Sequence, residues 1–293
     1  MIIDLAKIYR GKNVESIHYG IACLANSEGV LKAWGDSEFK TYTRSIIKPI
    51  QLKVCLDLGL ELEGEMLSLA MASHKASDAQ RFFVKKILDK YELDESLLAC
   101  GCTSVSRGKL PSAIYHNCSG KHAAILASSK INSWDLDNYL DFNHPVQLAI
   151  KKEIEVLMPG INLDIAADGC GLATFYLKLS ELAVLFAKII KEKNYKKIIS
   201  AMNAFPSLIS SEEMIDARIM NLEPAKFIAK VGAEGLLMVS NLKTGEALIL
   251  KIIDGSMRAR ANVMISLMEH LSWVEKGQLS MEKDYIIPRL TWD

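Results

Sequence analysis

The spacing of apolar residues in this chain changes from a strand period to a helix period and back, and this change restricts the possible folds more than any other feature. Near the N-terminus, SIHYGIACLA and VLKAWGD flank the turn-forming NSEG and predict a β-hairpin. A second hairpin is predicted by GLLMVSNLKTGEALILKIID, where two apolar runs flank a Lys-Thr-Gly turn, and an amphipathic helix follows at about 256–274. The region between the hairpins is mostly helical in pattern, with helices predicted at 45–58, 78–90, 119–129, 146–157 and 180–192.

This order of hairpin, helices, hairpin and helix predicts an α/β fold of the α+β type. Two separated hairpins can join into one antiparallel sheet with helices on its faces, and the helical middle then forms a lobe. The sequence shows no repeat and no Pro/Gly/Ser-rich linker. We therefore expect a single domain over 1–293, with the sheet from about 12–40 and 225–275 and the helical lobe at about 45–205.

The charge balance favours a small partner. Lys+Arg and Asp+Glu both number 35, so there is no basic excess that would favour nucleic acid. Residues 1–12 do not resemble a signal peptide, and the most apolar stretch, ELAVLFAKIIKEK, is interrupted by Lys188 and Lys191 well short of the roughly 20 apolar residues that span a membrane. We expect a cytoplasmic protein that acts on a small molecule, with no nucleic-acid or membrane partner.

The cysteines suggest thiol chemistry or a metal rather than disulfides, because six of them are too sparse for a disulfide framework in a chain of this size. Cys23 and Cys55 lie in apolar runs and are interpreted as core residues. The other four lie beside Gly, Asn or Asp, in loop-like contexts where chemistry is more frequent: Cys100, Cys102, Cys118 and Cys170.

The segment NCSGKH, which begins at Asn117, is not a phosphate-binding loop. Tyr115 and His122 stand where GxxxxGK[ST] requires Gly and Ser or Thr. A metal site is an alternative, since Cys118 and Cys170 lie in Gly-containing loops and thiolates favour zinc. Spacing alone favours His122 as the third ligand, and buried thiols without a metal are the other reading.

A serine three residues before a lysine can be a nucleophile with its base. The spacing occurs five times, at Ser37/Lys40, Ser45/Lys48, Ser106/Lys109, Ser240/Lys243 and Ser280/Lys283. Ser45 alone lies just past the first hairpin, at the start of a predicted helix, where free backbone N–H groups can stabilise an oxyanion. Because Pro49 belongs in a first helical turn, the helix is expected to begin a residue or two later than Ser45.

Nine short blocks carry a resemblance to a known family. They are VESIHYGIAC, RSIIKPIQ, MASHKA, CG at Cys100, HNCSGKHAAIL, NHPVQ, DGCGLATF, AKVGAEG and KIIDG. In their order and approximate spacing, roughly residues 12–272 resemble the rhizobial-type (class 3) L-asparaginase II family. The resemblance implies a fold similar to that of serine β-lactamases and glutaminases. It also implies hydrolysis of the side-chain amide of L-asparagine to L-aspartate and ammonia through a serine acyl-enzyme, and we expect a homodimer.

The resemblance assigns two Ser-Lys tandems, Ser45 with Lys48 and Ser73 with Lys251. A lysine must lose its proton before it can act as a base, and burial or a second nearby cation lowers its pKa. If the two tandems are neighbours, each lysine would therefore lower the pKa of the other. Read without the family, Ser73 would be a helix-capping serine and Lys251 a solvated strand lysine.

The resemblance also implies a structural or orienting zinc held by Cys118, Lys121 and Cys170, where spacing alone favours His122 over Lys121. It places Asp168 beside the active site, and we treat Arg44 and His74 in the same way, as candidate substrate contacts. Arg44 could bind the substrate carboxylate, although a structural ion pair is an equally good reading.

Other functions stay open at this point. A glutaminase or a β-lactam-interactive serine hydrolase would also use Ser-x-x-Lys on a similar fold, but LKTGE is predicted to lie in a turn rather than along a strand. A catalytically silent metal-binding or amino-acid-binding homologue would keep the fold and lose turnover. Retention of both tandems argues against that alternative.

Overall fold

The computed structural model describes residues 1–104, 110–280 and 286–288. Its strands are grouped mainly toward the two ends of the chain. They are β1 (Ile3–Arg10), β2 (Asn13–Ala25), β3 (Val30–Trp34), β4 (Lys40–Tyr42), β5 (Asp164–Ala167), β6 (Ala173–Lys178), β7 (Phe227–Val231), β8 (Leu236–Asn241), β9 (Glu246–Ile252) and β10 (Ile286–Pro288).

The α-helices occupy most of the middle of the chain. They are α1 (Lys48–Asp57), α2 (Glu65–Ala70), α3 (Asp78–Lys90), α4 (Ser119–Ile131), α5 (Pro145–Leu157), α6 (Leu179–Ile189), α7 (Lys196–Ala204), α8 (Pro206–Ile209), α9 (Ile215–Leu222) and α10 (Arg260–His270). Within the described residues, none of these helices is long and apolar enough to cross a membrane.

The chain divides into two compact units. The sheet unit comprises Met1–Ile46, Leu177–Lys191 and Arg218–Asp293, and the helical unit comprises Ile47–Tyr176 and Glu192–Ala217. The α+β class, with an antiparallel sheet and a helical lobe, is thereby confirmed. The prediction of one domain stays a prediction.

The sheet unit contains one antiparallel sheet, which among the described residues has the strand order β10-β1-β2-β9-β8-β7, with β3 also paired to β2. The two predicted hairpins join where β2 pairs with β9, from Gly20 opposite Ile252 to Ala25 opposite Ala247. Every residue of β7 and β8 is buried, the pattern of strands covered on both faces. Helices α6 and α10 pack on this sheet.

The helical unit is built around α1, which packs against α4 and α5, while α3 packs against α2 and α4. Helix α3 begins with a capping box in which Ser77 and Gln80 exchange side-chain and backbone hydrogen bonds. A short hairpin, β5 paired with β6, follows α5 and presents the turn that carries Asp168 and Cys170.

Candidate active site

Ser45 lies on a short 3-10 helix, Arg44–Ile47, that runs directly into α1. Ser45 is 9% exposed, and Arg44 before it has a φ of 43°, in the left-handed region that few non-glycine residues adopt. Pro49 lies in the first turn of α1, which begins at Lys48. The α-helix therefore starts three residues after Ser45, slightly later than the one or two residues expected.

Lys48 and Ser73, which the resemblance assigns to different tandems, are in direct contact in the helical unit. Lys48 is fully buried, and its Nζ donates hydrogen bonds to the carbonyl oxygen of Ala72 and, at 3.1 Å, to Ser73 Oγ. Burial lowers the pKa of Lys48; Cys118 opposes this effect and Lys121 adds to it. A lysine with a lowered pKa can supply the neutral amine that a general base requires.

Lys251 lies on β9 in the sheet unit and is buried, with 6% exposure, rather than solvated. Its Nζ donates a hydrogen bond to the main-chain oxygen of Glu234. Burial lowers the pKa of Lys251, Glu234 and Asp254 raise it, and Arg44 lowers it, with a net decrease. The interpretation of Lys251 as a solvated strand lysine is therefore wrong, because the side chain is desolvated.

Cys118, Lys121 and Cys170 come together in the helical unit, and each is at most 4% exposed. Cys118 precedes α4, Lys121 lies in the first turn of α4, and Cys170 lies in the turn between β5 and β6. Lys121 Nζ is 3.2 Å from Cys170 Sγ, and the two thiols are hydrogen-bonded to each other. The three predicted zinc ligands are thus neighbours.

The charges of this thiol-lysine cluster are complementary. The hydrogen bond from Cys170 holds the pKa of Cys118 well below its ordinary value, and the same bond raises the pKa of Cys170. Burial alone would lower the pKa of Lys121, but Cys170 and Cys118 outweigh it and raise that pKa. One thiolate beside one ammonium is therefore the favoured metal-free state.

The residues of this cluster fit a tetrahedral zinc. Bond lengths of about 2.3 Å for Zn–S and about 2.0 Å for Zn–N place ligand atoms roughly 3.5 Å apart in a tetrahedron, close to the observed 3.2 Å between Lys121 Nζ and Cys170 Sγ. In the described part of the chain, no group of three or more His, Cys, Asp or Glu side chains is placed to hold a metal. A metal here would need the amine of Lys121 in neutral form.

His122, the third ligand that spacing favoured, is bonded to Tyr139 through Nδ1, and no hydrogen-bond partner is placed at its buried Nε2 among the described residues. Its Nδ1 is 2.6 Å from Tyr139 Oη, and the rings of His122 and Tyr139 are in edge contact. Burial holds the pKa of His122 well below its ordinary value. The geometry favours Lys121 rather than His122 as the neighbour of the thiols.

Asp168 and His74 lie close to the same cluster. The negative charge of Asp168 contributes to the raised pKa of Lys121, and Asp168 Oδ1 accepts a hydrogen bond from the backbone N–H of Gly169. His74 is buried; its Nδ1 accepts from the backbone N–H of Ala76, so its Nε2 carries the proton and donates to Ser119 Oγ at 2.9 Å. Burial lowers the pKa of His74 to about 3, which keeps the ring neutral.

Arg44, the remaining predicted substrate contact, forms an ion pair in the sheet unit. Its Nη1 is 3.8 Å from Glu234 Oε1. The sequence reasoning overlooked Glu234, although this residue lies in the AKVGAEG block, and it also overlooked His116. The ring of His116 accepts a hydrogen bond from the backbone N–H of Cys118 and lowers the thiol pKa.

Among the described residues, the serines of the other Ser-x-x-Lys pairs lack the environment of Ser45. Ser240 is buried on β8, while Lys243 is paired with Glu223 at the surface. Ser37 lies in the loop before β4 and is half-buried. Ser106, Lys109 and Lys283 lie outside the described residues. Lys243 and its neighbours form the turn between β8 and β9, which confirms that Lys-Thr-Gly does not lie along a strand.

Comparisons with known proteins identify one family. A family model described as L-asparaginase II matches residues 6–291, nearly the whole chain. A search of curated protein sequences gave no significant match. Among solved structures, a β-lactamase from Mycobacterium bovis is similar at 12% identity with a TM-score of 0.49, covering 86% of this chain and 94% of that chain. A protein assigned to the β-lactamases from Bacteroides dorei DSM 17855 is similar at 10% identity with a TM-score of 0.46, covering 85% of this chain and 93% of that chain.

Proposed function

This chain belongs to the L-asparaginase II family, and on that premise we propose that it hydrolyses the side-chain amide of L-asparagine to L-aspartate and ammonia. Family membership supports an amidohydrolase-type activity on a small amino-acid substrate. The observation that carries the proposed mechanism is the buried Lys48, which has a lowered pKa and a direct hydrogen bond to Ser73. Burial and a lowered pKa fit a role in proton transfer better than a structural role in a surface ion pair.

In the proposed reaction, Ser45 Oγ attacks the carboxamide carbon of asparagine while the neutral amine of Lys48 takes the hydroxyl proton. The tetrahedral intermediate then expels ammonia, whose nitrogen receives that proton, and an aspartyl ester remains on Ser45. Water, deprotonated by the same amine, attacks the ester; the bond to Ser45 Oγ breaks, Oγ takes back that proton from Lys48, and aspartate is released. Ser73, 3.1 Å from Lys48 Nζ, would relay protons to and from this amine.

The other proposed site residues would orient the reactants. Arg44 supplies the cation that the α-carboxylate of an amino acid requires, and His74 and Asp168 stay proposed contacts of the substrate. Lys251 is the proposed partner of Ser73 in the second tandem. A zinc held by Cys118, Lys121 and Cys170 would fix the positions of β5–β6 and α4 without providing the nucleophile.

The test is ammonia release by the purified full chain and its Ser45→Ala variant. We expect wild-type protein to release ammonia from asparagine and the variant to lose more than about a hundredfold in turnover, because removal of the nucleophile leaves only binding and electrostatic effects. Ser37→Ala, in another Ser-x-x-Lys pair of the sheet unit, is the matched control and should keep full activity. A Ser45→Ala variant that retains more than about a hundredth of wild-type turnover would show that Ser45 is not the nucleophile.

The same assay separates the alternatives. Faster release of ammonia from glutamine than from asparagine would make the chain a glutaminase. Covalent labelling of Ser45 by a β-lactam, detected by mass spectrometry, would favour a β-lactam-interactive hydrolase. Wild-type protein that is folded but releases no ammonia from either amide would favour the silent binding homologue.

A further inference from the structure

The turn between β7 and β8 has a backbone that directs one carbonyl at Lys251. A hydrogen bond of 2.9 Å from the backbone N–H of Gly232 to the oxygen of Leu236 closes this turn. Two consecutive residues, Glu234 with φ 60° and Gly235 with φ 69°, adopt the left-handed conformation. Such a conformation is uncommon for a glutamate, and strained residues of this kind tend to be kept where they serve a site.

Three basic side chains hold the turn. Lys251 Nζ donates to the main-chain oxygen of Glu234, and Arg44 Nη1 is 3.8 Å from the carboxylate of Glu234. At the base of the turn, the buried Arg260 donates through Nη1 to the oxygen of Gly232 at 2.8 Å. Glu234 is thus bonded to Lys251 through its backbone and to Arg44 through its side chain, and both of these are proposed site residues.

A glycine opposite the turn makes room for the carboxylate. A Cβ at Gly255 would lie 2.5 Å from Glu234 Oε2, so a larger residue there would displace this carboxylate from its present position. The side chain of Glu234 is 62% exposed, so its ion pair with Arg44 rather than burial holds it in place. Contacts at both the backbone oxygen and the carboxylate therefore restrict the conformation of Glu234.

The charged groups that face Lys251 are few. Its cross-strand partners, Ile21 on β2 and Leu236 on β8, are apolar. Glu234 and Asp254 raise the pKa of Lys251, whereas burial and Arg44 lower it. Asp254 is itself held in place, since Oδ2 is 3.2 Å from His18 Nδ1 and Oδ1 accepts from the backbone N–H of Ser256.

We propose that Glu234 is a positioning residue for the hydrolysis: its carbonyl fixes the amine of Lys251, and its carboxylate fixes Arg44, the residue before the nucleophile. This inference rests on the proposed function. Arg44 is joined to Ser45 by one peptide bond and itself has a left-handed backbone, so its orientation bears directly on the orientation of Ser45. Misplacement of a reacting group by about 1 Å can cost about a hundredfold in rate.

The test compares Glu234→Gln with Glu28→Gln, which makes the same charge change at the exposed tip of the β2–β3 turn in the same unit. We expect Glu234→Gln to lower kcat about tenfold with less than about a threefold change in KM, and Glu28→Gln to change neither. Glu234→Asp, which keeps the charge, should recover part of the loss. Circular dichroism would establish that all three variants are folded.

A second readout does not depend on activity. In protein labelled with 13C at lysine Cε, the Lys251 signal, assigned by its loss in Lys251→Met, should titrate at lower pH in Glu234→Gln than in wild type, because one facing negative charge has been removed. Asparagine turnover and Lys251 titration that both match wild type would overturn the proposal, as would a shifted titration with unchanged kcat. If wild-type protein releases no ammonia at all, the proposed hydrolysis fails, and an unshifted Lys251 signal would separately refute the influence of the Glu234 carboxylate on Lys251.

Discussion

At the scale of single residues, the thiol-lysine cluster has a charge pattern that suits a bound cation. Cys118 has a depressed pKa, and Lys121 has a raised one because it compensates the thiolate charge. A divalent ion would replace this compensation, release the proton of Lys121 and use both sulfur atoms as ligands. The cluster is therefore expected to bind zinc.

We predict about one zinc per chain in protein purified without a chelator. Cys118→Ala and Lys121→Met should each lose the metal, because either change leaves too few ligands for a closed site. His122→Gln should keep it, since the ring contacts Tyr139 rather than the thiols, and Cys55→Ala, a buried thiol outside the cluster, is the control. Elemental analysis is the measurement; wild-type protein without metal, or loss of zinc in His122→Gln but not in Lys121→Met, would refute this ligand set.

His74 leads to a prediction about acid sensitivity. Its pKa is about 3 in the folded protein against an ordinary 6.5, so between these values the unfolded chain binds the extra proton. Stability from the neutral ring is complete above pH 6.5 and is lost as pH falls toward 3. From pH 7 to pH 5 this contribution falls by about 2 kcal/mol.

Urea unfolding at the two pH values would measure this contribution. His74→Gln should start less stable at pH 7 and lose about 2 kcal/mol less than wild type on acidification. His270→Gln removes an exposed imidazole as a control. Equal acid losses in wild type and His74→Gln would mean that His74 is not held neutral.

Part of the candidate site could be predicted from individual residues. Ser45 was selected by its position near a helix start, and Pro49 indicated that α1 begins after Ser45. The placing of Ser73 and Lys251 in the site with Lys48, and the grouping of the thiols, required the resemblance, because these residues lie on segments that are distant in sequence. Every residue has a main-chain oxygen, so no sequence motif could predict that the oxygen of Glu234 accepts a hydrogen bond from Lys251.

At the scale of elements, a buried polar network joins α1 to α5. Lys53 Nζ lies 2.8 Å from Glu153 and 2.7 Å from Asp57, and the buried Tyr195 donates from Oη to Glu153 at 2.8 Å. The Lys53 and Glu153 side chains are 10% and 13% exposed. Little solvent screens this pair, so the loss of one partner leaves a poorly compensated charge.

We predict that Glu153→Gln lowers the free energy of unfolding by about 2 kcal/mol, less than the roughly 3–5 kcal/mol for breaking a fully buried pair, because Asp57 still compensates Lys53. The control lies on the same helix: Glu155 pairs with Lys151 at 3.4 Å, but the two side chains are 36% and 37% exposed. Glu155→Gln should cost less than about 0.5 kcal/mol. Equal midpoints in urea for the two variants would show that the network contributes no more than a surface pair.

Elements with a long, regular period were predicted well, and short or irregular ones were overlooked. Helix α3 was predicted at its observed bounds, Asp78–Lys90, because its apolar stripe and its N-terminal cap at Ser77 indicate the same helix. Strand β1 was overlooked because bulges near Asp4 and Ile8 break the alternation that identifies a strand. Helix α2 has only six residues, too few to show a helical period.

At the scale of the whole molecule, neither unit is a continuous stretch of chain. The chain passes from one unit to the other four times, after Ile46, Tyr176, Lys191 and Ala217. Sequence periodicity predicted the sheet and the lobe, but it could not predict that α6 belongs with the sheet, because an apolar stripe does not specify its partner. Segments interleaved in this way are expected to unfold together, as the single-domain prediction requires.

Gly20 offers a test of this cooperativity. A Cβ at Gly20 would lie 2.4 Å from the main-chain oxygen of Lys251 and 2.3 Å from Leu5 Cδ1, so β1, β2 and β9 cannot keep their spacing. We expect Gly20→Ala to destabilise the protein by about 3 kcal/mol or more, because backbone cannot relax as a side chain does. Gly29→Ala, at a turn with open space around it, should be tolerated.

Pulsed hydrogen exchange with peptide resolution along a urea series would separate the two units. If they unfold together, Gly20→Ala should lower the midpoint for peptides of α4 in the helical unit as much as for those of β8 and β9 in the sheet unit. Gly29→Ala should move neither. A helical unit whose midpoint stays at the wild-type value while the sheet unit unfolds early would show two independent folding units and would make the single-domain prediction wrong.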